Sequence, residues 1–167
     1  MPHTCRSWRP LAALALAALM GAAGGRSQGA SSRREPQEPV QGALTLAPDT
    51  VKPGDTVTLT LTLTIADAWY VYRTAGSEGQ RKLGLQLTLP PGLEVVGGWV
   101  WPTAQTVQEV RAVQIYTGTP VFTQRLRVGT APGAVPVAMS VRYQACNQEM
   151  CGPPATLDLS TTLHVQP

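Results

Sequence analysis

The sequence predicts an all-β domain over residues 43–167, and three observations carry this prediction. The run 56–65, TVTLTLTLTI, alternates apolar residues with threonine, which is the pattern of a half-buried strand. No segment after residue 41 keeps the apolar period of a helix, about 3.6 residues. Short clusters with turn chemistry separate the apolar segments, at 53–55, 90–92, 117–118 and 131–133. About eight or nine short strands of this kind indicate an immunoglobulin-like antiparallel β-sandwich, with a closed barrel as the alternative.

The period of two extends to later strands and identifies the expected core. The residues predicted to face inward are Val57, Leu59, Leu61, Leu63 and Ile65, then Phe122, Leu126 and Val128, then Val137, Met139, Val141 and Tyr143, and last Leu157, Leu159, Leu163 and Val165. Shorter candidate strands are ALTLA, WYVY, LGLQLTL, LEVVGGWVW and VRAVQIY. His164 falls on the outward side of its strand, so we expect it to be solvated rather than a ligand.

Residues 1–28 have the composition of a secretory signal peptide. Arg6 and Arg9 precede the apolar run 11–23, and small residues follow that run. The run is shorter than the ~20 apolar residues of a membrane span, which makes an uncleaved anchor the lesser alternative. Residues 29–42 are rich in Gly, Ser, Pro and Gln and predict a flexible linker. We therefore expect a periplasmic or otherwise exported domain.

The distribution of charge argues against nucleic-acid binding. The chain has a formal net charge of +3, with 13 basic and 10 acidic residues. From residue 41 onward, however, eight bases stand against eight acids, so the surplus belongs to the leader and the linker. Nucleic-acid binding requires a concentrated basic face. We therefore expect no nucleic-acid partner. Separately, we expect the domain to be a monomer.

The stretch YQACNQEMCGPP carries two of the three cysteines, Cys146 and Cys151. It lies between two predicted strands, and the second strand can start only after Pro153 and Pro154, which donate no ladder hydrogen bonds. The four residues between the cysteines can bring the two Cα atoms within the disulfide range of about 4.4–6.8 Å. A bridge across so short a loop stabilises a fold by about 2 kcal/mol, against about 4 kcal/mol for a loop of about fifty residues. Spacing therefore leaves both a weak structural bridge and a redox-active pair open.

A metal site is the third alternative for this pair. Two thiolates supply half of a zinc site, and His164 is expected to point away. Met150, next to Cys151, offers a soft ligand for Cu(I), or it covers the sulfurs from water. We expect no cofactor, and Cu(I) handling stays open beside the structural bridge.

The same stretch resembles the active-site segment of the N-terminal periplasmic domain of the DsbD family of thiol:disulfide interchange proteins. The shared pattern is a strand that ends in Tyr-Gln, a small residue, a cysteine, a short loop, a second cysteine and Pro-Pro. AWYVYR is similar to the family's aromatic strand, with Tyr70 and Tyr72 at the matching positions. LGLQLTLPPGLEV and VQIYTGTPVFTQRLRV resemble the middle of that domain, so the likeness spans residues 43–165.

The resemblance implies an immunoglobulin-like domain whose cysteine pair takes electrons from a thioredoxin-like reductant and passes them to oxidised periplasmic proteins. Cys146 would attack the partner's disulfide, and Cys151 would resolve the mixed disulfide. The family's membrane conduit has no counterpart in this sequence, so a separate membrane electron conduit is a further expected partner. An exported binding module with a structural disulfide is the alternative function.

The residues expected to line the site are Tyr70, Tyr72, Glu109, Tyr143 and Met150. Members of the family often cover their cysteines with a loop that carries acids and an aromatic residue. The corresponding segment here, TVQEVR at 106–111, keeps Glu109 as its one acid and has no aromatic residue. We therefore expect a site without the family's aromatic cover.

Overall fold

A computed structural model describes residues 38–73, 81–108, 112–129 and 131–167. The expected signal peptide, residues 29–37 of the expected linker, and Glu109 lie outside these ranges. Within the ranges the chain forms β-strands and no helix, so no described segment is a helix able to cross a membrane. The strands are β1 (Val40–Ala47), β2 (Thr50–Val51), β3 (Thr56–Ile65), β4 (Tyr70–Tyr72), β5 (Gly84–Thr88), β6 (Leu93–Val100), β7 (Gln105–Gln108), β8 (Ala112–Tyr116), β9 (Val121–Val128), β10 (Gly133–Tyr143), β11 (Ala145–Cys146) and β12 (Ala155–Val165).

The strands form three sheets. The first has the order β1-β3-β9-β6, the second β2-β12-β10-β5 and the third β11-β4-β8-β7. Among the described strands every pair is antiparallel except β12 with β2. The predicted immunoglobulin-like antiparallel sandwich is therefore confirmed. The third sheet starts where β10 ends, because Gln144 alone separates β10 from β11.

Alternation along β3 builds the centre of the core. Val57 and every second residue up to Leu63 are fully buried, while the threonines between them face the other way. A fully buried Val or Leu side chain stabilises a fold by about 1.5–3 kcal/mol relative to an exposed one. The inward residues predicted on β9 and β10 are buried as well, and His164 is exposed as expected. Leu163 and Val165 close the core from β12.

Among the described residues, one polar side chain lies in the core, on the inward side of its strand. Gln124 on β9 is 1% exposed. Its Nε2 donates hydrogen bonds to the carbonyl oxygens of Val96 at 3.2 Å and Arg125 at 3.1 Å. Val96 borders the β-bulge at which the register between β6 and β9 shifts. The amide therefore pairs with a carbonyl where the regular ladder is interrupted.

The first strand begins at Val40, which corrects the expected linker boundary at residue 42. Val40 pairs with Ile65 of β3 and is buried. Gly42 packs closely on β12, where an added Cβ would lie 2.7 Å from Leu157 Cδ2 and 3.0 Å from Leu159 Cδ1. Composition missed this boundary because these residues gain their order from pairing with β3, and their own sequence has no apolar period.

Gly42→Ala is expected to lower the free energy of unfolding by about 1 kcal/mol, because both leucine tips must move to admit the methyl group. Gly84→Ala is the matched control, since its Cβ would meet Arg142 Cβ at 3.9 Å, an ordinary contact. The control is expected to be neutral or slightly stabilising, because alanine loses less backbone entropy on folding than glycine. Urea unfolding measures both variants, and equal stabilities would contradict the close packing of β1 on β12.

Candidate thiol–disulfide site

The cysteine pair lies at the end of the third sheet. Cys146 ends β11, and Cys151 lies directly opposite it in an antiparallel bridge. The two Sγ atoms are bonded at 2.05 Å, and the Cα atoms lie 4.0 Å apart, slightly closer than expected. This close approach is typical of a non-hydrogen-bonded pair, in which the neighbouring residues make the ladder bonds. Those bonds run from Asn147 N to Met150 O and from Gly152 N to Ala145 O, both at 2.8 Å.

Asn147 orders the four-residue loop between the cysteines. Its Oδ1 accepts hydrogen bonds from the backbone N–H groups of Glu149 at 2.9 Å and Met150 at 2.8 Å. This Asx turn lets the chain reverse within four residues and return Cys151 to the level of Cys146. The role of Asn147 was not predicted, although an asparagine at the first position of a tight loop is a known turn signal.

The two cysteines differ completely in exposure. Cys146 is 0% exposed and packs in a small apolar cluster with Tyr72, Val113 and Ile115. Cys151 is exposed. An external thiolate can therefore reach the bridge only at Cys151, because Cys146 offers no surface to approach.

Both tyrosines expected at the site lie beside the buried cysteine. Tyr70 is the residue directly opposite Cys146 in the pairing of β4 with β11. Its ring packs edge-on against that of Tyr72, with centroids 5.4 Å apart and an interplanar angle of 85°. The Tyr70 hydroxyl donates a hydrogen bond to the Asn147 carbonyl oxygen at 3.4 Å. The two rings thus pack against Cys146, and Tyr70 also contacts the loop between the cysteines.

Two other expected lining residues, Tyr143 and Met150, are not part of this cluster. Tyr143 is buried in the main core between the first and second sheets. Burial raises the pKa of its hydroxyl, and the nearby Glu38 carboxylate raises it further, so Tyr143 stays neutral at physiological pH. Met150 is 57% exposed, so most of its side chain faces solvent. Glu109 lies outside the described residues.

Gln144 is a site residue that the sequence did not reveal. Its Nε2 donates a hydrogen bond to the carbonyl oxygen of Gly152 at 2.9 Å. Its Oε1 accepts one from the backbone N–H of Arg81 at 3.0 Å. One half-buried amide therefore ties the chain after Cys151 both to the end of β10 and to the segment before β5. The Tyr-Gln pair before the first cysteine was the available signal.

The surroundings of the exposed cysteine are polar and carry both signs of charge. Glu149 lies exposed in the loop, and Arg81, Lys82 and Arg142 are exposed on the neighbouring segments. Within the described ranges, no group of three or more His, Cys, Asp or Glu side chains comes together that could hold a metal ion. The exposed cysteine of the bridge, Cys151, lies among these polar side chains.

Residues 39–163 match the family model described as "Thiol:disulfide interchange protein DsbD, N-terminal". The chain belongs to this family. The resemblance of the cysteine segment is thereby confirmed, and the bridge described above is the cysteine pair of a DsbD N-terminal domain. No curated protein sequence matches this DsbD N-terminal domain.

Solved structures share its fold at low sequence identity. One is the complex between the DsbD N-terminal and PilB N-terminal domains from Neisseria meningitidis, with a TM-score of 0.51 and 17% identity, covering 81% of this chain and 95% of that chain. Another is the N-terminal periplasmic domain of ScsB from Proteus mirabilis, with a TM-score of 0.50 and 17% identity. That match covers 77% of this chain and 47% of the ScsB chain, so this sequence spans about half of that relative.

Proposed function

We propose that this DsbD N-terminal domain is an exported thiol:disulfide exchange module. It passes electrons between a thioredoxin-like reductant and oxidised periplasmic proteins through the Cys146–Cys151 couple. The observation that carries the proposal is a disulfide with one fully buried and one exposed cysteine. Exposed bridges that close short loops are the labile and catalytic kind, because an attacking thiolate can reach them and they add little stability.

Reduction of the domain starts at Cys151. A thiolate of the reduced partner attacks Cys151 Sγ, a partner–Cys151 bond forms, and Cys146 leaves as a thiolate that takes up a proton. The partner's second thiolate then attacks the partner's first sulfur, which is bonded to Cys151, and releases Cys151 as a thiolate. Two electrons have moved, so the domain is reduced and the partner carries a disulfide.

Reduction of a client protein runs through the same sulfurs in the opposite order. The Cys151 thiolate attacks the client's disulfide and forms a mixed disulfide, and one client thiolate leaves. Cys146 then attacks Cys151 Sγ, re-forms the internal bridge and releases the second client thiolate. This order reverses the roles implied by the resemblance, in which Cys146 attacks first. Burial favours the reversal, because Cys146 is 0% exposed and Cys151 is exposed.

Three further observations support the proposal. The DsbD N-terminal domain from Neisseria meningitidis forms a complex with the N-terminal domain of PilB, which supports docking of this domain on a protein partner. The ScsB relative is a periplasmic domain, which agrees with the signal-like composition of residues 1–28. No histidine, lysine or arginine stands next to either cysteine in the sequence to lower the pKa of its thiol. Exchange is therefore expected to be driven by the docked partner rather than by an activated thiolate.

Trapping of the mixed disulfide tests this function. Cys146→Ser, loaded at Cys151 with a thionitrobenzoate group, is expected to form a stoichiometric covalent adduct with a thioredoxin-like protein that lacks its second cysteine. Release of the coloured thionitrobenzoate and a mass-spectrometric adduct are the readouts. The control replaces the protein partner by reduced glutathione, which measures unspecific exchange at the loaded Cys151.

The reduction potential supplies an independent measurement. A structural bridge has a potential below about −300 mV, whereas exchange modules lie above that value. A potential in the structural range, together with the lack of any adduct, would contradict the exchange function and favour the alternative, an exported binding module.

A further inference from the structure

Gln144 occupies a position that links both sides of the disulfide. It is the single residue between β10 and β11, two positions before Cys146. Its amide donates to Gly152 O at 2.9 Å, one position after Cys151, and accepts from Arg81 N at 3.0 Å. Both ends of the side chain are therefore engaged, and one of them lies next to the exposed cysteine.

This contact uses both halves of the amide. The glutamine amide carries an N–H donor and a carbonyl acceptor on separate atoms, so it can bond the Gly152 carbonyl and the Arg81 N–H at the same time. A second bond, from Gly152 N to Ala145 O at 2.8 Å, joins the same two chain segments. The chain after Cys151 is thus held to the chain before Cys146 by two hydrogen bonds that do not depend on the sulfur–sulfur bond.

We propose that Gln144 is a positioning residue that holds Cys151 opposite Cys146 while the disulfide is open. This inference rests on the proposed exchange function, in which a mixed disulfide at Cys151 must be closed from within. In that step the Cys146 thiolate attacks Cys151 Sγ, the Cys146–Cys151 bond forms, and the Cys151–partner bond breaks with the partner leaving as a thiolate. The amide keeps the two sulfurs within reach, which raises their effective concentration for closure.

The test measures closure without a protein partner. The full chain is equilibrated with glutathione buffers at neutral pH, and the equilibrium constant for bridge formation is read from the ratio of bridged to open protein. The rate at which a Cys151–glutathione mixed disulfide closes is measured in parallel. Gln144→Ala removes the bonds to both Gly152 O and Arg81 N, and it is expected to lower both quantities by at least about fivefold, because one lost hydrogen bond is worth about 1 kcal/mol.

Two further variants separate the amide contact from added charge and from general loosening. Gln144→Glu keeps the acceptor for Arg81 N but places a carboxylate oxygen against Gly152 O in place of the donor. The repulsion between these two oxygens is expected to make its loss at least as large as that of Gln144→Ala. Gln86→Glu makes the same chemical change at an exposed amide that accepts from the Arg142 side chain, and it is expected to match the wild type. If Gln144→Ala fails to fold, Gln144→Glu carries the test alone.

Closure constants and rates within twofold of the wild type for both Gln144 variants would overturn the positioning role. A wild-type value for Gln144→Glu alone would do the same, since that variant lacks the donor. An equal loss in Gln86→Glu together with a wild-type value for Gln144→Ala would also overturn it, because added charge would then explain the effect of Gln144→Glu. These outcomes are distinct from failure of the exchange function, which concerns adducts with thioredoxin-like proteins and leaves closure with glutathione unaffected.

Discussion

Cys151→Ser is expected to abolish mixed-disulfide formation with thioredoxin-like partners, although Cys146 keeps its thiol. The reason is access, because Cys146 is 0% exposed and packs behind Tyr72, Val113 and Ile115. Reaction at Cys146 then requires local opening of the third sheet. An opening free energy of about 4 kcal/mol slows the reaction by about a thousandfold. Alkylation of the reduced protein with iodoacetamide, followed by mass spectrometry, measures the rate at each cysteine.

Cys146→Ser is the matched control for this prediction. It removes the buried thiol and leaves Cys151 exposed, so Cys151 should be alkylated at a rate typical of an accessible thiol. Comparable alkylation rates for Cys146 in Cys151→Ser and for Cys151 in Cys146→Ser would contradict the buried–exposed asymmetry. They would also remove the basis for assigning the attacking role to Cys151.

Phe122→Ala is expected to lower the free energy of unfolding by about 3–5 kcal/mol. Phe122 is 0% exposed and makes edge-to-face contacts with Trp101, at 5.4 Å between centroids, and with Tyr116, at 5.3 Å. Tyr116 belongs to β8 of the third sheet and Phe122 to β9 of the first, so the ring joins two sheets. Its removal leaves a cavity and forfeits both aromatic contacts. Urea unfolding monitored by tryptophan fluorescence gives the change.

Val121→Ala provides the neighbouring control on the same strand. Val121 is 43% exposed, so its truncation is expected to change stability by no more than about 0.5 kcal/mol. A domain of this size is stable by about 5–15 kcal/mol, which makes the loss expected for Phe122→Ala a large share of the total. A loss below about 1 kcal/mol would show that the first and third sheets are not joined through this ring.

The alternation of apolar residues predicted the core because a strand places successive side chains on opposite faces. That rule needs no knowledge of partners, and it correctly identified the buried positions of β3, β9 and β10. Gln124 follows the same alternation, but as a polar residue it was not included in the predicted core. The explanation of its burial required the β-bulge next to Val96, where a carbonyl accepts a hydrogen bond from the glutamine amide.

The cysteine segment was the part of the site that could be found from the sequence. Its spacing indicated a short loop, and its resemblance to the DsbD family was confirmed by the match over residues 39–163. The contact of Tyr70 with the loop and the place of Tyr143 in the main core could not be separated by pattern alone. Both tyrosines end or begin a strand near the cysteines, and only the pairing of β4 with β11 puts Tyr70 opposite Cys146.

The sequence by itself determined the all-β class, the inward faces of the long strands and the pair of cysteines, because each of these depends on residues close together in the chain. The tertiary structure decided which cysteine is exposed, since the cover over Cys146 comes from β4 and β8. It likewise decided the role of Gln144, whose amide bonds Gly152 and also Arg81, which lies 63 residues before Gln144 in the chain. Contacts between distant segments depend on how the sheets are stacked and registered, and that information is not present in any local pattern.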